Sequence, residues 1–184
     1  MNQHDMTRNM VLAALFAALT AIGAFLQIPT GTVPITLQFL FTALAGLLLG
    51  WKWGAVSQLL YVGIGLLGLP VFTQGGGIGY VLQPSFGFLL GLIPAAAVIG
   101  ALTARRTGYL TILAAVLVGD LILYAVGVPY MYLILHVYMQ SAKTFPALLA
   151  AMLVYVPGDT LKIIVVTALA PVLCRTLAKA VPNL

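Results

Sequence analysis

The sequence predicts an all-α integral membrane protein, a compact bundle of six transmembrane helices with both termini cytoplasmic, and three observations carry that prediction. The 184 residues are 62% hydrophobic and 6% charged, with a mean hydropathy of +1.14, whereas soluble domains carry about 25% charged residues. The apolar residues fall into stretches long enough to cross a bilayer, at about 20 residues per crossing, and six of them use nearly the whole chain. With six crossings, Arg8, Lys52, Arg105, Arg106, Arg175 and Lys179 all fall on one side, and Lys143 falls on the other. Basic loops stay cytoplasmic, which places both termini inside. Residues 1–184 therefore read as a single membrane domain with helices at about 10–28, 35–49, 54–69, 85–103, 109–126 and 158–177.

Composition also excludes several function classes. The net charge of +5 fits anchoring at the cytoplasmic face better than nucleic-acid binding, because the basic residues never cluster beyond Arg105-Arg106. The single cysteine, Cys174, allows no intramolecular disulfide and offers no metal-site spacing, so it reads as packing and no metal is expected.

Taken in order, the chain opens with a polar tail, Met1 to Asn9. The apolar run from Met10 to Ile28 is longer than a signal-peptide core and lacks a convincing cleavage site, so it is the first membrane helix. Ala13, Ala17 and Ala21 share one face of it, with Ala14 and Ala18 alongside. Such a small-residue ridge serves either close packing within the chain or docking of a partner protein. The uncharged, turn-rich connection Pro29 to Pro34 leads into the second helix, which ends before Trp51-Lys52-Trp53, an aromatic-basic interface marker. The third helix is rich in small residues, Gly63, Gly65 and Gly68 among them.

The next connection, Pro70 to Pro84, is uncharged and has glycine at four of the five positions 75–79. It lacks the Gly-Lys-Ser/Thr of a phosphate loop and the Gly-x-Gly-x-x-Gly spacing, which removes nucleotide binding. What remains is a loop whose backbone can approach a small molecule closely, flanked by Phe72, Tyr80, Gln74 and Gln83. The fourth helix ends at Arg105-Arg106. The fifth carries Asp120 roughly 15 Å deep by helical rise, as a ligand group, a partner for Lys162 or, as expected here, a structural group. Gly127-Val128-Pro129 should bend or interrupt that helix before a continuation over 130–140 that bears the interface residues Tyr130, Tyr132, His136 and Tyr138, and a short helix follows over 145–155.

The last helix holds the most informative group. Pro157 favours a first helical turn, so Asp159 and Lys162 stand one turn apart on one face of an otherwise apolar segment. Asp159 suits the exposed N–H groups of a helix start, whereas Lys162 is opposed by the helix dipole and by desolvation. Either the two neutralise each other as a buried pair, or they form a polar clamp for a ligand at the outer mouth, where both uncharged connections converge.

Val33-Pro34-Ile35-Thr36-Leu37-Gln38, Ala45-Gly46-Leu47-Leu48-Leu49-Gly50, Gly68-Leu69-Pro70-Val71-Phe72 with its glycine run, and Pro157-Gly158-Asp159 with Lys162 together resemble the BioY family over essentially the whole chain. These are the biotin-specific S components of energy-coupling factor (ECF) transporters. The resemblance implies a multi-pass protein of a prokaryotic plasma membrane that captures biotin outside and delivers it inward with a transmembrane T component and two ABC-type ATPases. It implies that Asp159 and Lys162 bind biotin and that Ala13, Ala14, Ala17, Ala18 and Ala21 dock the T component. Gln38, Gln74, Gly77, Tyr80 and Gln83 are added as substrate-binding residues from their position at the outer mouth, with Phe72 and Tyr80 as apolar walls. No catalytic constellation and no Walker sequence is present, so the chain reads as a non-enzyme whose ATPases are other chains, without a cofactor. An S component for another vitamin and a solitary proton-coupled transporter are the alternatives. A membrane enzyme would have to rely on Asp120 with His136, which a continuous helix holds about four turns apart.

Overall fold

The computed structural model describes residues 3–30, 33–105 and 108–180. Helix α1 (Gln3–Phe25) is followed by the short strands β1 (Gln27–Ile28) and β2 (Ile35–Thr36), then α2 (Gln38–Leu66), a 3₁₀ turn (Ile78–Leu82), α3 (Phe86–Thr103), α4 (Tyr109–Leu133) with a π-helical turn (Ile134–Tyr138), α5 (Phe145–Met152) and α6 (Val156–Ala180). Among the described residues, five helical segments are long and apolar enough to span a membrane.

The sixth crossing is inside α2, which folds back on itself at Gly50. That residue has φ 76° and ψ 177°, backbone that only glycine adopts readily. The two arms, 38–49 and 51–66, run antiparallel. Gln38 Nε2 donates to the Tyr61 hydroxyl at 2.7 Å and Thr42 Oγ1 to Gln58 Oε1 at 3.0 Å, while Gly46 and Gly54 meet backbone to backbone. Gln58 also reaches α1 through Thr20 Oγ1 at 3.3 Å. A buried polar ladder therefore sets the rotation of α1 and both arms in a medium where an unpaired amide would be costly. Trp51 and Lys52 stand exposed at the hairpin tip.

Helix α3 passes that tip at Gly100, packs along both arms of α2, and meets α4 on its other side; α6 closes the bundle more thinly against α4 and α2. The main core lies among α1 to α4 and α6. A smaller apolar cluster of Val33, Val128, Met131, Leu135, Leu148 and Met152 ties α5 and the segment before β2 to the outer end of α4.

Several expected boundaries are corrected. The first helix begins at Gln3 rather than Met10, because Asp5 and Arg8 pair one turn apart at 3.4 Å and the polar tail is helical. It ends at Phe25, and the second helix starts at Gln38 instead of Ile35, because Gln27 pairs with Thr36 and Ile28 with Ile35 in an antiparallel bridge. The third crossing stops at Leu66, just before Gly68 with φ 109°. Pro129 does not interrupt α4: Gly127 packs on Phe88 and Val128 and Met131 are buried, so tertiary contact carries the helix past the missing N–H. The short helix ends at Met152, and α6 starts at Val156 with Pro157 in its first turn. Gly31, Thr32 and Arg106 lie outside the described residues, as do the side chains of Arg175 and Lys179.

Candidate functional site

The site grows from the first turn of α6. Asp159 is placed there by its own N–H, which bonds the Tyr155 carbonyl at 2.9 Å, and Lys162 follows one turn later on the same face. Both are 7% exposed. The Lys162 ammonium meets Asp159 Oδ1 at 2.5 Å and donates to the Thr36 carbonyl of β2 at 3.2 Å. The Tyr124 hydroxyl, on α4, donates to Asp159 Oδ2. One ion pair thus joins α6, α4 and β2: the charges neutralise each other, and both residues border a cavity.

About 620 Å³ of atom-free space, the open mouth included, lies between these elements. Apolar walls come from Phe39 of α2, from Phe88, Leu89 and Leu92 of α3, and from Leu123 of α4. The outer rim is made by Val33 to Ile35, Met152 and Tyr155. The Tyr155 hydroxyl donates to the Val33 carbonyl at 2.5 Å and lies 3.0 Å from Thr30 Oγ1, tying the α5–α6 connection to the segment between the strands.

A second polar group lines the same cavity. Thr73 Oγ1 and the Tyr80 hydroxyl are 2.9 Å apart, and Tyr80 is 3.3 Å from Ser85 Oγ. Tyr80 is held by Phe72, whose ring centroid is 4.6 Å away and whose ring fills the space over Gly65. Gln38 completes the polar lining. Its Oε1 accepts from Thr36 Oγ1 at 2.8 Å.

Of the expected binding residues, Asp159, Lys162, Gln38 and Tyr80 are therefore brought together. Gln74, Gly77 and Gln83 are not among the lining residues. The Gln74 and Gln83 side chains are exposed on the outside of the loop, and the Gly77 N–H is spent on the Gly65 carbonyl at 2.7 Å. Phe72, expected as a wall, is a buried core residue behind Tyr80. Lys162 pairs with Asp159 and not with Asp120. Asp120 sits one turn before Tyr124 on α4, within electrostatic reach of the pair, with its Oδ1 enclosed and, among the described residues, without a hydrogen-bond partner. The alanine ridge is split: Ala13 and Ala17 are buried within the chain and Ala21 partly so, leaving Ala14 and Ala18 exposed.

Sequence reasoning missed Tyr124, Thr36, Thr73, Ser85 and Tyr155. Tyr124 carried a usable signal, being one turn from the single carboxylate of the fifth helix. The others, three short polar residues and Tyr155, lie in or beside connections, where no periodicity marks which way they face.

The profile of the BioY family matches residues 1–179. Among its relatives, a probable biotin transporter of Lysinibacillus sphaericus is 52% identical over 147 residues, covering 79% of this chain and 75% of its own. The biotin transporter of Rhodobacter capsulatus is 39% identical over 188 residues, 97% of each chain, and that of Thermotoga maritima 35% over 164 residues, 89% of this chain and 94% of its own. The crystal structure at 2.1 Å of an S component for biotin from an ECF-type ABC transporter superposes with a TM-score of 0.83 and 29% identity, over 95% of both chains. Six crossings, a cavity at their outer ends and a match along nearly the whole length agree: this chain belongs to the BioY family.

Proposed function

We propose that this chain is the high-affinity biotin-capture subunit, the S component, of an ECF-type importer in a prokaryotic plasma membrane. The observation that carries the reading is the spare hydrogen-bonding capacity of the Asp159–Lys162 pair beside the cavity. A carboxylate offers about four acceptor positions, of which Tyr124 and Lys162 occupy two. The remainder matches the two N–H groups of a ureido ring. An ammonium has three protons. Asp159 and the Thr36 carbonyl take two, and the third is free for the ureido oxygen. The apolar walls suit a thiophane ring and an aliphatic chain.

The chain is a substrate-binding subunit and not an enzyme. Energy would come from a transmembrane T component and two ABC-type ATPases. The exposed Ala14 and Ala18 of α1 offer the T component a face where backbones approach closely. Titration calorimetry of the purified protein with biotin, thiamine and riboflavin tests the reading. Binding of biotin alone, at about one per chain, is expected. Binding of another vitamin instead, or of none, would remove the biotin assignment.

A further inference from the structure

Biotin is a monoanion at neutral pH, and the pair that matches its ureido ring is a poor place for its carboxylate. Lys162 is the one cation among the cavity-lining residues, and it is already in contact with Asp159. Asp120 lies close behind. Whether or not Asp120 carries its charge, that end of the cavity holds no surplus of positive charge to attract an anion.

The other polar group lining the cavity is neutral and has a donor to spare. Thr73, Tyr80 and Ser85 bring three hydroxyl protons, and two hydrogen bonds link the three oxygens. Among the described residues none of these hydroxyls has a further acceptor, so one O–H is left over. Ser85 precedes α3, yet its hydroxyl makes no bond to that helix and turns to Tyr80 instead. The other lining hydroxyls are committed: Thr36 donates to Gln38, Tyr124 to Asp159 and Tyr155 to Val33. Tyr80 and Ser85 are 5% and 8% exposed, so an anion received there would be largely out of water, where a hydrogen bond to charge counts for more.

We infer that Thr73, Tyr80 and Ser85 form a neutral hydroxyl site that receives the carboxylate tail of the ligand, and that this site makes the protein select the free acid over its neutral amides and esters. The inference rests on the biotin reading. It puts the ring at the Asp159–Lys162 pair and the tail at the hydroxyls.

The test compares biotin with biotinamide, its neutral carboxamide, by titration calorimetry of the full chain in lipid nanodiscs. Wild type is expected to prefer biotin by about tenfold or more, the value of roughly one charge-assisted hydrogen bond. In Ser85→Ala and Thr73→Val that preference should shrink to about threefold or less, with biotin losing more than biotinamide. Tyr80→Phe, which keeps the ring against Phe72, should do the same. Asp159→Asn should weaken both ligands alike. A wild type that binds both ligands equally, hydroxyl variants that weaken both alike, or an Asp159→Asn variant that alone abolishes the preference would each overturn the hydroxyl site while leaving biotin binding in place. A wild type that binds neither ligand would instead remove the biotin reading, and the hydroxyl site with it.

Discussion

At the scale of single residues, point mutations can separate the binding role proposed for the Asp159–Lys162 pair from its role as a tie between helices. Asp159→Asn keeps the volume and loses the charge, and it is expected to weaken biotin binding by at least about tenfold while the protein still inserts and folds. Lys162→Met is the harsher change. It leaves a carboxylate 7% exposed with Tyr124 as its remaining partner, a situation that typically costs about 3–5 kcal/mol. The double variant Asp159→Asn/Lys162→Met has no orphaned charge. Its melting temperature in detergent should return most of the way to wild type, while calorimetry should detect no biotin binding. Retained binding in the double variant would mean that the pair is only a structural tie between α6, α4 and β2.

At the scale of elements, the loop between α2 and α3 is aimed by packing. Phe72 lies between Tyr61, at a centroid distance of 5.5 Å, and Tyr80, at 4.6 Å, with its edge over Gly65. A methyl group at position 65 would fall 2.0 Å from the Phe72 ring, which is fully buried and has nowhere to retreat. Overpacking of this kind costs about 1–3 kcal/mol, and the strain reaches Tyr80 first. Gly65→Ala is therefore expected to lower biotin affinity by about tenfold or more. Gly63→Ala, half a turn away with nothing within 4 Å of the added carbon, should bind like wild type. Equal behaviour of the two variants would show that Phe72 does not position the cavity wall.

At the scale of the molecule, the hairpin in α2 decides the topology. Were α2 a single continuous crossing, the chain would cross five times and its ends would lie on opposite sides. Folding at Gly50 makes six crossings, puts Lys52 at the same side as both termini, and leaves Lys143 opposite. In a Cys174→Ser background, a cysteine replacing Lys143 should react with a membrane-impermeant maleimide added to intact cells, and one replacing Lys52 should react only after the cells are opened. The reverse pattern would invert the protein and place the cavity inside.

Much of this was legible in the sequence, and the physical reason is the bilayer. Lipid demands long apolar helices with satisfied backbones, which set the helix count, and the bias of basic residues set their direction. The same cost of burying charge singled out Asp159 and Lys162. The sequence by itself thus determined how many times the chain crosses, which way its basic residues direct it, and where Asp159 and Lys162 stand one turn apart in an apolar segment. Only the tertiary structure decided which polar residues meet that pair around a cavity. Tyr80 faces inward because Phe72 and Gly65 hold it there, whereas Gln74 and Gln83 are exposed on a loop that the Gly77 N–H ties back to Gly65. The alanine ridge divides into a packed and a free side because the Thr20–Gln58 contact fixes the rotation of α1. Such choices depend on contacts between residues far apart in the chain, and no local period or propensity records them.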